Sequence, residues 1–298
     1  MQFHDDDAVP NLDDKSTAEI SREARGMRQL LADHGLTAEF VAPRLWEHPL
    51  TVDGGFTAND PAARAYANER ARKAADIGRE LGCNLMVLWL AREGTYLREA
   101  KDAVHATHQL LATVDMLLAH DPDLRIAIEP KPNEPMDLAY IPTIGHALAL
   151  GMQSSDPSRV GALVESAHAV LAGLDPADEM SFALAFGKLW SVHLNDQNGL
   201  KFDQDRSFGS VDLRRAFNQV RVLDENHYWQ RGLVGLDVKA IRTQPAELAT
   251  KHLSNSLAIF LRLVEVVRSL DRARIDSLRA ARDYEELDWL VLSALMGK

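Results

Sequence analysis

Seven short apolar runs recur along the chain, each separated from the next by a stretch of helical patterning. They fall at residues 1–4, 37–42, 84–90, 124–129, 160–165, 189–194 and 232–237. Between them, the Ser16–Glu19 capping box opens a helix that stops near Gly35, and Asp60-Pro61 opens another that ends at Gly82. Further helices are expected at 97–120, 142–151, just after 165, at 178–187, at 211–223 and from about 244 to 298. Strands that alternate with helices build a parallel sheet, because a parallel pair needs a long crossover and a helix supplies it.

The runs end in polar or charged residues: His4 with Asp5, Asp6 and Asp7, Trp89 ahead of Arg92-Glu93, then Glu129, Glu165, His193 and Asp237. A closed barrel gathers all its C-terminal strand ends at one mouth, whereas an open doubly wound sheet uses one switch point and carries a Gly-rich phosphate loop. The chain has no GxGxxG and no P-loop. The expected fold is therefore an α/β TIM (β/α)8 barrel with seven strands in view, the eighth belonging before Met1. Residues 1–270 would form the barrel and 271–298 a short C-terminal helical extension. A chain of 298 residues suits one such barrel.

Composition narrows the function. A formal net charge of −11 disfavours nucleic acid as partner and suits divalent cations or a neutral small molecule. The one cysteine, Cys83, rules out a disulfide framework within the chain and points to a reducing, cytoplasmic setting. No apolar run approaches the ~20 residues of a membrane span, and the acidic MQFHDDDAVP start lacks the apolar core of a secretory signal.

The densest chemistry lies at residues 190–205, WSVHLNDQNGLKFDQD. His193 ends a strand, and a Gly-containing loop brings Asp203 and Asp205. With Glu129, Glu165, Asp237 and His168 they form a set of hard carboxylate and imidazole ligands, suited to Mg²⁺, Mn²⁺ or Co²⁺. Seven such groups exceed the needs of one ion, and Glu165 is placed to bridge two. On an extended segment Asp203 and Asp205 would point the same way. Taken alone, His193 could be a ligand, a general base or a packed core histidine. Lys131 is held between Pro130 and Pro132, beside Glu129, in a loop with three prolines in six residues.

At IAIEPKPNEP (126–135) the sequence resembles the xylose isomerase family of metal-dependent aldose–ketose isomerases. FHDDD (3–7), HPLTVDGGFTAND (48–60), VESAHAVLAGL (164–174), VHLNDQNGLKFDQD (192–205) and LDVKAIRTQ (236–244) resemble that family's motifs in the same order, over nearly the whole chain. The resemblance implies one metal site of Glu129, Glu165, His193 and Asp237, and a second of Glu165, His168, Asp203 and Asp205. It implies that His4 with Asp7 assists opening of the sugar ring and that Lys131 contacts the sugar's O1. Trp46, where the family usually has phenylalanine, and Trp89 would wall the sugar pocket, with Lys239 a further lining residue. The implied reaction is a metal-assisted 1,2-hydride shift between an aldose such as D-xylose and its ketose, with two divalent ions and no organic cofactor, in a homo-oligomer (dimer or tetramer).

Three departures accompany the resemblance. The family usually has aspartate at 193; rhamnose isomerases and ketose epimerases are similar to this chain in having histidine there. The chain starts about one βα unit late, and the long C-terminal arm is absent or much shortened. The alternatives are accordingly a ketose 3-epimerase, a rhamnose-type isomerase or an inactive metal-binding barrel. A metal-dependent endonuclease of the same superfamily fits the acidic balance poorly.

Overall fold

A computed structural model describes residues 1–297 of the protein. In chain order its strands are β1 (Gln2–His4), β2 (Phe40–Ala42), β3 (Leu85–Trp89), β4 (Gly94–Thr95), β5 (Arg125–Glu129), β6 (Leu138–Ala139), β7 (Val160–Glu165), β8 (Leu189–Leu194) and β9 (Leu233–Leu236). The helices are α1 (Asp5–Ala8), α2 (Thr17–Asp33), α3 (Pro61–Leu81), α4 (Ala103–His120), α5 (Ile144–Met152), α6 (Ser166–Leu171), α7 (Pro176–Ala185), α8 (Leu213–Glu225), α9 (Lys251–Ser269), α10 (Arg272–Ala281) and α11 (Tyr284–Leu295). β4 and β6 form a small antiparallel pair; the other seven make one sheet in the order β1-β2-β3-β5-β7-β8-β9. Each neighbouring pair in it is parallel. Spatial order follows chain order, so every crossover steps one strand along and the sheet winds into a nearly closed barrel, the expected α/β class.

Period-two alternation sorts each strand's side chains into two layers. Phe3, Val41, Met86, Leu88, Ile126 and Ile128 face helices of the first half of the chain. Ala162, Val164, Leu189, Val192 and Leu194 face α7, α8 and α9. Phe40, Ala42, Leu85, Val87, Ala127 and Leu163 pack together in the barrel interior, with Trp190 against them. Continuing the interior phase to the C-terminal ends brings Trp89, Glu129 and Glu165 inward.

His193 reaches the interior only because β8 is irregular. The β7–β8 register shifts between Ala162 and Leu163: Leu189 pairs with Ala162, but Ser191 with Leu163. Trp190 is the extra residue of this bulge. Leu189 lies outside, and strict alternation would carry His193 outside with it. The bulge re-phases the strand, so Val192 and Leu194 join the outer core and His193 turns in. Gly161 makes the bulge possible, since a Cβ there would overlap the Trp190 indole. Arg125 and Lys188 flank that indole, 4.0 and 5.5 Å from its ring centroid.

Across the seam, the Gln2 side chain of β1 lies against Gly235 of β9, where a Cβ would overlap it. Gln2 Nε2 and Ser191 Oγ each donate to Glu39, at 2.9 and 2.8 Å, and this polar link ties β1 to β8 beside the seam. The C-terminal helices return to the outer core: Leu263, Val266 and Val267 of α9 are buried there, and Val291, Ala294 and Leu295 of α11 pack against them.

Two local expectations change. The helix expected at 97–120 begins at Ala103, because Asp102 caps it by accepting from the Val104 and His105 N–H groups. The chain before it makes β4 and a 3₁₀ turn at Arg98–Ala100. The strand expected over 37–42 is confined to Phe40–Ala42. Among the described residues no helix is long and apolar enough to cross a membrane.

Candidate active site

The C-terminal strand ends surround a cavity of about 610 Å³. Its floor carries Glu129, Glu165, His193 and Asp237, whose ligand atoms all lie within 4.8 Å of one another. A second group, Glu165, His168 and Asp203, meets the same criterion, so Glu165 belongs to both. Each position has a local cause. Glu129 and Glu165 are the last residues of β5 and β7, His193 is re-phased by the bulge in β8, and Asp237 follows β9 directly. His168 lies on α6 three residues beyond Glu165, so its ring returns to that carboxylate, with Nε2 3.3 Å from Oε1.

Three carboxylates face His193: its Nδ1 is 3.5 Å from Asp237, 3.8 Å from Glu129 and 3.9 Å from Glu165. Both its ring nitrogens, His168 Nδ1 and Asp203 Oδ1 are buried without a hydrogen-bond partner among the described residues. Each such orphan costs about 1–3 kcal/mol. A divalent cation at the first cluster would engage His193 Nδ1, the nitrogen that faces the three carboxylates, and one at the second would engage Asp203, with His168 Nε2 beside it; carboxylate and imidazole are natural donors to such ions. The residues fit a metal centre.

Electrostatics point the same way. Burial pushes Glu129 above the usual carboxylate range, and Glu165 well above it. Against the opposing effect of burial, Asp237, Glu165 and Glu129 raise His193 well above 6.5, and Glu165 and Asp203 raise His168. Burial would raise Asp237 too, but His193 brings it down to about 2. Asp203 is likewise held far below its ordinary value, burial being outweighed by His168 and Lys131. Without a cation these acids share protons with the imidazoles; a cation would displace those protons.

Asp203 and Asp205 do not point the same way. Asp205 takes a left-handed backbone, φ 46°, which breaks the extended geometry. Asp203 faces His168 at 3.2 Å and Lys131 at 2.8 Å. Asp205 instead accepts from Asn195 Nδ2 at 3.0 Å and pairs with Lys239. It stands outside both ligand clusters, and burial with the nearby Asp203 and Asp237 charges raises it to about 6.

Over the floor, Trp46 and Trp89 meet edge to face at 4.6 Å. The buried Lys131 lies 5.2 Å from the Trp89 ring centroid. Arg92 Nε donates to the Trp46 carbonyl at 2.9 Å, and buried Glu93 accepts from the amides of Gly55, Phe56 and Thr57. These two residues tie the loop bearing Trp46 to the strand bearing Trp89. His4 caps α1: its N–H donates to Asp7 Oδ2 at 3.1 Å, and its Nδ1 is 3.3 Å from the same oxygen.

Sequence reasoning assigned no role to three residues the structure brings in. Asn195 donates to Glu165 Oε1 at 2.9 Å as well as to Asp205, and its own oxygen accepts from the Ala167 amide. Its position two residues past His193 was the available signal, by alternation. Glu134 lines the cavity and accepts from the Asp203 amide at 2.7 Å. Arg44 contacts both His4 and Asp7; its spacing in the sequence gives no hint of this.

The family described as xylose isomerase-like TIM barrel matches residues 1–257. Among solved structures, a D-tagatose 3-epimerase-like protein is similar with TM-score 0.65 and 16% identity, over 85% of this chain and 87% of that one. A xylose isomerase domain protein from Planctomyces limnophilus gives 0.64 and 15%, over 90% and 89%. A 3-keto-D-glucoside 4-epimerase from E. coli gives 0.62 and 14%, over 80% and 85%. At these identities the likeness concerns the fold.

Proposed function

Because the chain belongs to the xylose isomerase-like TIM barrel family, we propose that it is a metal-dependent sugar isomerase that interconverts an aldose, D-xylose or a related pentose or hexose, with its ketose. The observation that carries this reading is Lys131, a buried ammonium reaching the second ligand cluster beside an aromatic wall. A 1,2-hydride shift moves hydride from C2 to C1 while the C2 hydroxyl loses its proton and O1 gains one. An ammonium near O1 stabilises the negative charge that grows there.

Glu129, Glu165, His193 and Asp237 would hold one divalent ion, Mg²⁺, Mn²⁺ or Co²⁺. Glu165, His168 and Asp203 would hold a second, with Asp205 joining only if it leaves Lys239. The ions would supply Lewis-acid polarisation of the sugar's oxygens. The chain supplies the rest. His4, oriented by Asp7, moves a proton during ring opening. Trp46 and Trp89 exclude water, which disfavours loss of the migrating hydrogen to solvent. Lys239 lines the cavity beside Asp205. Oligomerisation is part of the same proposal.

The test is a panel of aldoses and ketoses with each cation, after chelation, followed by NMR of the products. Interconversion that depends on added metal supports the reading, and its absence across the panel overturns it. A ketose 3-epimerase is the second reading, favoured by the two buried, proton-retaining carboxylates Glu129 and Glu165 in one cluster. Deuterated water separates the two: proton abstraction and return labels the product carbon, and hydride transfer leaves it unlabelled.

A further inference from the structure

His4 Nδ1 has two neighbours at the same distance. Asp7 Oδ2 lies 3.3 Å away, and so does Arg44 Nη2. They ask opposite things of the ring. A carboxylate accepts from Nδ1–H, whereas a guanidinium only donates and so meets Nδ1 as a lone pair. Arg44 also places a fixed positive charge where protonated imidazole would carry its own.

Arg44 is held firmly there. Its backbone N–H donates to Asp5 Oδ1 at 3.1 Å. Its guanidinium lies 3.1 Å from Asp6, 3.2 Å from Asp7 Oδ1 and 3.6 Å from Glu47, and sits over the Trp46 ring at 5.2 Å. The His4 ring packs edge-on against the same Trp46 at 4.7 Å. The charged groups facing His4 are therefore Asp5, Asp6 and Asp7 from α1 and Arg44 from the segment after β2. Asp5 is fully buried and already paired with the buried Arg70, which also takes Asp13. Asp7 divides its two oxygens between His4 and Arg44.

We propose that Arg44 is a positioning residue for His4: it contests Asp7 for Nδ1, occupies the other Asp7 oxygen, and so keeps the imidazole neutral and free to take a proton from the sugar. Burial, together with Arg44, lowers the His4 pKa below 6.5 against the pull of the three aspartates. The inference rests on the isomerase reading only in the use to which His4 is put; the effect of Arg44 on the ring is independent of it.

The test is a histidine-resolved NMR titration of the whole protein, with the His4 signal assigned by its loss in His4→Gln. Arg44→Gln keeps hydrogen-bonding capacity but removes the charge, and Arg44→Ala removes both. In either variant the His4 midpoint should rise by about one unit, and in Asp7→Asn it should fall. The acid limb of kcat/KM should move up in step in the Arg44 variants, a shift that a merely structural residue would not give. A His4 midpoint unmoved in folded Arg44→Gln overturns the proposal. If the midpoint moves but no sugar is converted at any pH, the assignment of Arg44 stands and the isomerase reading falls.

Discussion

His193 Nδ1 lies 3.5 Å from Asp237 Oδ2, and neither nitrogen of this buried ring has a hydrogen-bond partner among the described residues. A neutral imidazole among carboxylates makes a softer site, with one charge fewer than a fourth carboxylate would give. His193→Asp should therefore move preference towards the harder Mg²⁺ and away from Mn²⁺ and Co²⁺. Calorimetric titration of the metal-free variant with each cation reads the ratio. An unchanged Mn²⁺-to-Mg²⁺ ratio would remove His193 from the ligand set.

The metal-free protein should lose stability as pH rises from the mildly acidic range. Glu129 and Glu165 keep their protons above the ordinary 4.5, and His168 and His193 above 6.5. The native state binds these protons more tightly than the unfolded chain. That advantage is complete below the unfolded values and fades as pH climbs through the native ones. Each proton so released removes up to about 1.4 kcal/mol per pH unit. Asp203 and Asp237 act oppositely, contributing above 3.8 and losing their contribution as pH falls through their lowered values. A bound cation takes the place of the displaced protons, so the gap in Tm between manganese-loaded and chelated protein should widen from about pH 5.5 to about pH 8. Parallel curves would mean that the clusters do not exchange protons for metal.

Lys131 sits 2.8 Å from Asp203 and adds positive charge where a second cation would bind. Lys131→Met should lower kcat by about 100- to 1,000-fold, the typical loss for a group stabilising a developing oxyanion. Metal affinity should hold or tighten, since a competing cation is gone. Turnover and calorimetry on the same preparation separate these effects. A variant that loses metal but keeps its turnover per bound ion would make Lys131 structural.

The rhythm of apolar runs made the barrel legible, because hydrophobic periodicity is local. The strand-end acids Glu129, Glu165 and Asp237 were legible for a related reason: an acid at the C-terminal end of a buried parallel strand lies at the mouth wherever alternation turns it inward. His193 was found as well, but strict alternation from Leu189 would have turned it outward. Only the β7–β8 pairing, with its shift at Trp190, shows why it faces in. The shared orientation expected of Asp203 and Asp205 does not hold, because nothing in FDQD announces a left-handed residue at 205. Arg44 and Glu134 act through partners 37 and 69 residues away, beyond any local window, whereas Asn195 stood within the 190–205 stretch two residues past His193 and its signal was alternation.

Asn195 is the next residue to test, since its amide joins Glu165 of both clusters to Asp205. Asn195→Ala would leave the Ala167 N–H and the inner oxygens of two carboxylates without their partner. Groups that orient ligands in this way typically account for ~10- to 100-fold in metal affinity. The expected result is that loss with the fold intact, read by calorimetry beside circular dichroism. Wild-type affinity would show that Glu165 is held by the ions alone.

Gly161 connects the fold to the site. A Cβ at Gly161 would overlap the Trp190 indole, and the indole is flanked by Arg125 at 4.0 Å, so it has little room to yield. Gly161→Ala should destabilise the protein by about 1–3 kcal/mol, the usual cost of overpacking. If the indole shifts, the bulge shifts with it and His193 loses its inward phase, so metal affinity should fall beside stability. Trp190→Leu in the same chain makes room for the methyl group, and the double variant should recover part of both losses, a coupling that a double-mutant cycle in urea and by calorimetry measures directly. Strictly additive effects would mean that Gly161 and Trp190 do not meet, and that something other than this contact turns His193 into the barrel.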